Sequence, residues 1–131
     1  MSYWFYKYYY NQNTTLLLNQ GYIINKSIND YLTRKISKDK MLTQIRLMDE
    51  MSNTRILIVD KYGFIYAYSS NEMKDFMGKQ ITDIELQEVL DGDIVIKSGG
   101  FKQIFSKPML MVGMPIIVAD QVQSAVFYTH L

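Results

Sequence analysis

Few residues in this chain of 131 could do chemistry, and they are not spaced to do it together. The single histidine is His130, one residue from the end. A lone imidazole builds neither a nucleophilic triad nor a zinc site without partners. The absence of cysteine excludes disulfides, thiolate zinc sites and cysteine nucleophiles. Gly99-Gly100 lacks the lysine and the serine or threonine that would follow in a phosphate-cradling loop, and reads as a turn. Asp83, Glu85, Glu88, Asp91 and Asp93 form an acidic group around a short helical stretch. They are either a surface facing cations or a membrane, or a solvated helix whose N-terminus favours negative charge. Nothing here points to an enzyme, a cofactor or a bound metal. With 14 Lys and Arg against 13 Asp and Glu, the net charge of +1 makes no electrostatic case for nucleic acid.

The start of the chain is unusual. Tyr3, Trp4, Phe5, Tyr6, Tyr8, Tyr9 and Tyr10 put seven aromatics in eight positions, broken only by Lys7. Rings with an apolar body and a polar tip gather where a membrane helix leaves the bilayer. The same run also suits a helix face packed in a core or a dimer interface. No stretch reaches the ~18–20 apolar residues of a membrane span, and no signal-peptide pattern is present. We read the chain as a segment of a longer protein, its aromatic end abutting a membrane helix. The strand-like finish at Val126 to Leu131, with no polar tail, fits that reading.

Helix comes first. Leu17, Gly21, Ile24, Ile28, Tyr31 and Lys35 fall at spacings of three and four, a stripe that Leu16 and Ile23 widen. Asn19, Lys26, Asn29 and Arg34 fall on the other side. The stripe is either core or the seam of a helix pair between two subunits, in which case Leu17, Gly21, Ile24 and Ile28 are the dimerisation residues. Gly21 would permit close approach of another helix. Ser37 is placed to cap a second helix, whose stripe is Met41, Ile45, Met48 and Met51. Nine methionines spread over helices and strands read as core filling rather than as an adaptable surface.

Strands follow. Ile56–Val59 is apolar at every position, so both its sides should be covered. Asp60-Lys61-Tyr62-Gly63 is a hairpin turn with glycine where positive φ is needed, and Phe64–Tyr68 is the partner strand. Residues 69–83 read as a loop and Ile84–Leu90 as a short helix, capped by Asp83 and ended by Asp91-Gly92. Ile94–Lys97, Phe101–Phe105, Pro108–Val118 and Gln123–Tyr128, with Gly99-Gly100 between, supply three further strands and their turns. There is no repeat, low-complexity run or internal linker.

This order resembles the extracytoplasmic PAS-like sensor domain (Cache or PDC type) of bacterial two-component sensor histidine kinases. The matching segments are the hairpin Asp60 to Gly63, Gly78-Lys79-Gln80-Ile81, Leu90-Asp91-Gly92, Pro115-Ile116, and Ser124-Ala125-Val126-Phe127, where Ser124 replaces a usual glycine. The likeness spans essentially the whole chain and lies in the order of these segments. The aromatic, arginine and aspartate set by which amino-acid-binding members hold a ligand is not matched, so no known small molecule is implied.

The resemblance implies an α+β fold: the long N-terminal helix and its follower on one face of a five-stranded antiparallel sheet. It implies one domain over 1–131, with 1–36 as the signalling and dimerisation helix. The domain would be a homodimer on the extracytoplasmic side of a membrane-anchored histidine kinase whose catalytic domains lie outside this chain. It would answer an unidentified small-molecule or ionic stimulus. Strand alternation then assigns Tyr66, Tyr68, Phe105 and Met111 to the sensing face, away from the helices, unless they are plain core. The competing reading is a cytoplasmic PAS-like or roadblock-like module that binds a protein partner.

Overall fold

The computed structural model describes residues 2–98 and 110–130, with side chains over 15–97 and 110–130. The expected strand Phe101–Phe105, the turn Gly99-Gly100 and the side chains of Tyr3–Tyr10 lie outside the described residues.

Helix α1 runs over Ser2–Leu32 and α2 over Lys38–Ser52. At 1.5 Å per residue α1 is about 46 Å long. It ends where Arg34 turns to φ 64 and the Lys35 and Ile36 amides fold back onto the Asp30 carbonyl. Ser37 caps α2 as expected, its hydroxyl accepting from the Lys40 amide at 3.1 Å. Asn53, at φ 53, closes the other end of α2 and hands the chain to the sheet.

Strands β1 (Thr54–Asp60), β2 (Ile65–Tyr68), β3 (Val95–Ser98), β4 (Leu110–Val118) and β5 (Gln121–His130) form one antiparallel sheet in the order β2-β1-β5-β4-β3. In the β1–β2 turn the Asp60 carboxylate accepts from the amides of Tyr62 and Phe64 at 2.8 and 3.0 Å. Gly63 sits at φ +91, and a Cβ there would meet the Ile81 carbonyl at 2.6 Å. Conformation and space both demand glycine at this position.

Each face of the sheet is covered. On the first, α1 and α2 bury Leu17, Leu18, Ile24, Ile28, Met41 and Ile45 against Ile56, Ile58, Val112, Met114, Val126 and Tyr128. On the second lie a 3-10 helix (Asn71–Phe76) and α3 (Ile84–Leu90). The consecutive apolar run of β1 is explained: Ile56 and Ile58 point to one layer, Leu57 and Val59 to the other.

Three expectations change. The stripe Leu17, Gly21, Ile24 and Ile28 is buried within the chain's own first layer, so it is not free to be the seam of a helix pair. Gly21 admits the Tyr128 ring and Met114 from the sheet, not another helix. Met51 leaves its stripe and is 82% exposed, because α2 ends at Ser52 as the chain turns into β1.

Candidate functional site

The second face is the candidate site. Residues 70–83 cross from the edge strand β2 over the sheet and lead into α3, forming a strap. Its root is fixed by Ser69, whose amide donates to the Ile56 carbonyl at 2.9 Å. Its far end, Gly78 to Ile81, returns beside the start of β2. There the Gly78 amide donates to the Ile65 carbonyl, the Ile65 amide to that of Lys79, and the Ile81 amide to that of Gly63, each at 2.9 Å. The segment singled out for its glycine-led pattern therefore covers the outer edge of β2, which would otherwise offer unpaired backbone groups.

Beneath strap and α3 lies a cluster of Leu57, Val59, Ile65, Met111, Ala125 and Phe127 from the sheet and Met73, Ile81, Leu86 and Val89 from above. Every member is buried and apolar. Gly113 in the floor is filled by its neighbours: a Cβ there would meet Phe127 Cε1 at 2.6 Å and Val89 Cγ2 at 2.9 Å. The hydroxyl of nearby Thr129 is satisfied by the Leu110 carbonyl at 2.8 Å. Among the described residues this interior presents no charge to a ligand.

Of the residues assigned to this face, Met111 is in the cluster and Tyr68 packs against its margin. Phe105 lies outside the described residues. Tyr66 is on the opposite face. The β1–β2 register shifts between Ile58 and Val59, so Ile58 opposes Ala67 while Val59 opposes Ile65. That bulge breaks the alternation and turns Tyr66 toward the helices. Its hydroxyl shares a hydrogen bond with Ser124 Oγ at 2.9 Å. Burial pushes its pKa up to about 12, against the smaller opposing effect of that bond. The residues expected at a dimer seam, Leu17, Gly21, Ile24 and Ile28, are all in the chain's own first layer.

Sequence reasoning missed two polar constellations. Asn25 and Asn29 of α1 donate to the Pro115 and Ile117 carbonyls of β4 at 2.9 and 2.8 Å. Four helical residues rise about 6 Å and two strand residues about 6.7 Å, so the side chains match alternate carbonyls. These carbonyls lie past the point where β3 stops pairing with β4, at Val95 opposite Gly113. A groove of 460 Å³ remains there between α1 and β4, floored by Ile94, Met114, Pro115 and Ile117. The second constellation is Asp49, Arg55, Ser69 and Glu72. Arg55 donates from one terminal nitrogen to Asp49 Oδ1 and from Nε to Glu72 Oε1 at 2.6 Å. Ser69 Oγ donates to Asp49 Oδ2 and accepts from the Ile56 amide at 2.9 Å. Burial works against the Arg55 charge, but Glu72 and Asp49 outweigh it and hold its pKa above the ordinary value. One signal was available: Asp49 follows Met41 and Ile45 at spacings of four, a carboxylate on the buried side of α2.

In the acidic group, Glu85 pairs with Lys97 at 3.3 Å, tying the first turn of α3 to β3. Asp83 occupies the N-cap position but makes no capping bond with its side chain. No group of three or more His, Cys, Asp or Glu among the described residues is arranged to hold a metal ion. Among the same residues no helix is long and apolar enough to cross a membrane.

Helices lie on one face of a five-stranded antiparallel sheet, and strap and short helix on the other, an arrangement that recurs among solved structures. Among solved structures, the chain is similar to the sensor domain of the Vibrio cholerae histidine kinase DctB, with a TM-score of 0.66 and 14% identity. That match covers 95% of this chain and 52% of the other, so the chain spans about half of that sensor domain. The cofactor-binding GAF domain of the nutrient sensor CodY from Clostridium difficile matches at a TM-score of 0.50 and 15% identity, over 87% of this chain and 81% of that one. The Escherichia coli DcuS sensor domain aligns over 58% of this chain and 53% of its own, at 19% identity and a TM-score of 0.43. No family profile and no curated protein matches the sequence. At these identities the likeness is one of fold.

Proposed function

We propose that this chain is the extracytoplasmic stimulus-sensing domain of a membrane-bound sensor histidine kinase, relaying its signal through α1 and β5. One observation carries the reading: the first helix and the last strand leave the fold together at one pole. Tyr128, near the end of β5, donates its hydroxyl to the Leu17 carbonyl of α1 at 2.7 Å. Thr54, opposite His130, bonds Gln20. The helical residues before Leu17 therefore run past the end of the sheet on the side where β5 finishes. A domain looped out between two membrane helices needs this geometry, and the fold shared with the DctB sensor domain supports it. The stimulus would act on the second face and displace α1 relative to β5. It can do so only by favouring one arrangement over the other.

The domain would dimerise through the outer side of its helix layer, since the inner stripe is occupied. Leu16 and Ile23, seven residues apart on α1, are 65% and 59% exposed, and Leu47 of α2 shares a groove with Ile23. Seven-residue spacing is the repeat that brings two parallel helices together. A long helix face can supply the ~800 Å² per partner of a standard interface.

Reporter fusions at Asn11 and at Asp120 in the full-length protein test the reading. Both sites must report the extracytoplasmic side, with spans of ~20 apolar residues flanking the domain. Cytoplasmic reporters would instead favour an internal PAS-like interaction module.

A further inference from the structure

A polar cluster joins the two layers. Asp49 belongs to the last turn of α2 on the first face, and Glu72 to the strap on the second. The Arg55 guanidinium holds both, while Ser69, at the strap's root, donates to the other Asp49 oxygen. Asp49 is only 7% exposed, and a buried carboxylate that loses its cation is strongly disfavoured. Glu72 is followed by Met73, which with Ile81 at the far end seats the strap in the second core. Nothing can lift Met73 without moving the main chain that carries Glu72.

We propose that Arg55 is a coupling residue, making the last turn of α2 respond to whether the strap is seated on the second face. This rests on the sensing reading only for its purpose; the linkage itself is a property of the fold. With the strap seated, Glu72 holds Nε and sets the angle at which the terminal nitrogen meets Asp49. With the strap lifted, Arg55 loses that brace, the Ser69 root shifts, and the Asp49 carboxylate must rearrange. The α2 turn to which it belongs packs beside α1, so strap movement reaches the helix that would carry the signal.

The test needs neither stimulus nor membrane. Amide hydrogen exchange is followed at residues 70–83 and at 46–52 in this chain, in Glu72→Ala, in Met73→Ala and in Met73→Ala with Glu72→Ala. Met73→Val replaces Met73→Ala if the larger truncation unfolds the chain. Glu72 is 61% exposed on its side chain, so Glu72→Ala removes the acceptor for Arg55 Nε with little loss of packing. Unseating Met73 should speed exchange in the strap and raise it roughly fivefold in the α2 turn, a size typical of contact-level coupling. Measured against Glu72→Ala alone, the strap effect of Met73→Ala should persist and its α2 effect fall away. A merely structural Arg55 cluster would raise exchange evenly across α2 and β1, with or without Glu72. An α2 turn indifferent to Met73, or equally responsive in both backgrounds, overturns the proposal. Neither result bears on membrane topology, which tests the sensing reading separately.

Discussion

Gly21→Ala separates helix propensity from tertiary packing. Gly21 lies inside α1, where alanine is favoured over glycine by about 1 kcal/mol on propensity alone. The structure predicts the opposite sign. An added Cβ would lie 2.7 Å from Tyr128 Cζ, nearer still to Tyr128 Oη, and 2.8 Å from Met114 Cε. Met114 Cε is the end of a flexible chain and can move. The Tyr128 ring is fully buried and its hydroxyl is committed to the Leu17 carbonyl. Either α1 lifts from the sheet or the ring withdraws. Overpacking a well-filled core costs about 1–3 kcal/mol, and losing a buried hydrogen bond about 1 kcal/mol more. After the propensity gain, a net loss of roughly 2 kcal/mol remains, about a 30-fold shift in the folding equilibrium. Urea unfolding followed by circular dichroism reads this directly, as a lower midpoint at unchanged slope. Tyr128→Phe, which removes the nearest atom, should by itself lose about 1 kcal/mol and make Gly21→Ala less harmful by a similar amount. If Gly21→Ala is neutral or stabilising, or costs the same beside Phe at 128, the close packing of α1 on β5 is wrong.

Three further outcomes follow from the same structure. Because burial raises the Tyr66 pKa to about 12 from 10, its neutral form is favoured in the folded state, so its contribution is intact below pH 10. That contribution is lost as pH rises from 10 to 12, by roughly 1.4 kcal/mol per unit, and Tyr66→Phe should flatten the decline of stability over that range. The Tyr128 phenol is shifted the same way, chiefly by burial, and a phenolate absorbance titration should show both rings ionising only as the fold gives way. Asn25→Ala should lower stability by about 1 kcal/mol, and Asn29→Ala by less, because the Asn25 bond is part-buried and the Asn29 bond exposed. Ile23→Asp should leave the melting temperature within a few degrees of wild type, since that side chain is exposed, yet convert a dimer to monomer in sedimentation. A dimer that persists would remove the outer side of α1 from the interface.

Much of this fold was legible because its signals are local. The Asp60–Gly63 turn is built from one aspartate accepting from amides two and four residues on and from one glycine at positive φ. Ser37 needs only the Lys40 amide to start α2. The apolar run of β1 requires covered faces whatever covers them. Such features depend on residues within a turn of one another, and composition reveals them.

What only the tertiary structure decided depends on groups far apart in the chain. The face on which Tyr66 lies was set by a bulge in register with β1, which no count of alternating residues contains. The role of Gly21 required Tyr128, more than a hundred positions away, to arrive from the sheet. The Asp49–Arg55–Ser69–Glu72 cluster draws on α2, β1, the end of β2 and the strap. The sequence determined by itself that helices precede a sheet, because periodicity is a property of the chain. Which side chains meet is a property of the packed layers, since contact energies act in space and the chain's order does not record them.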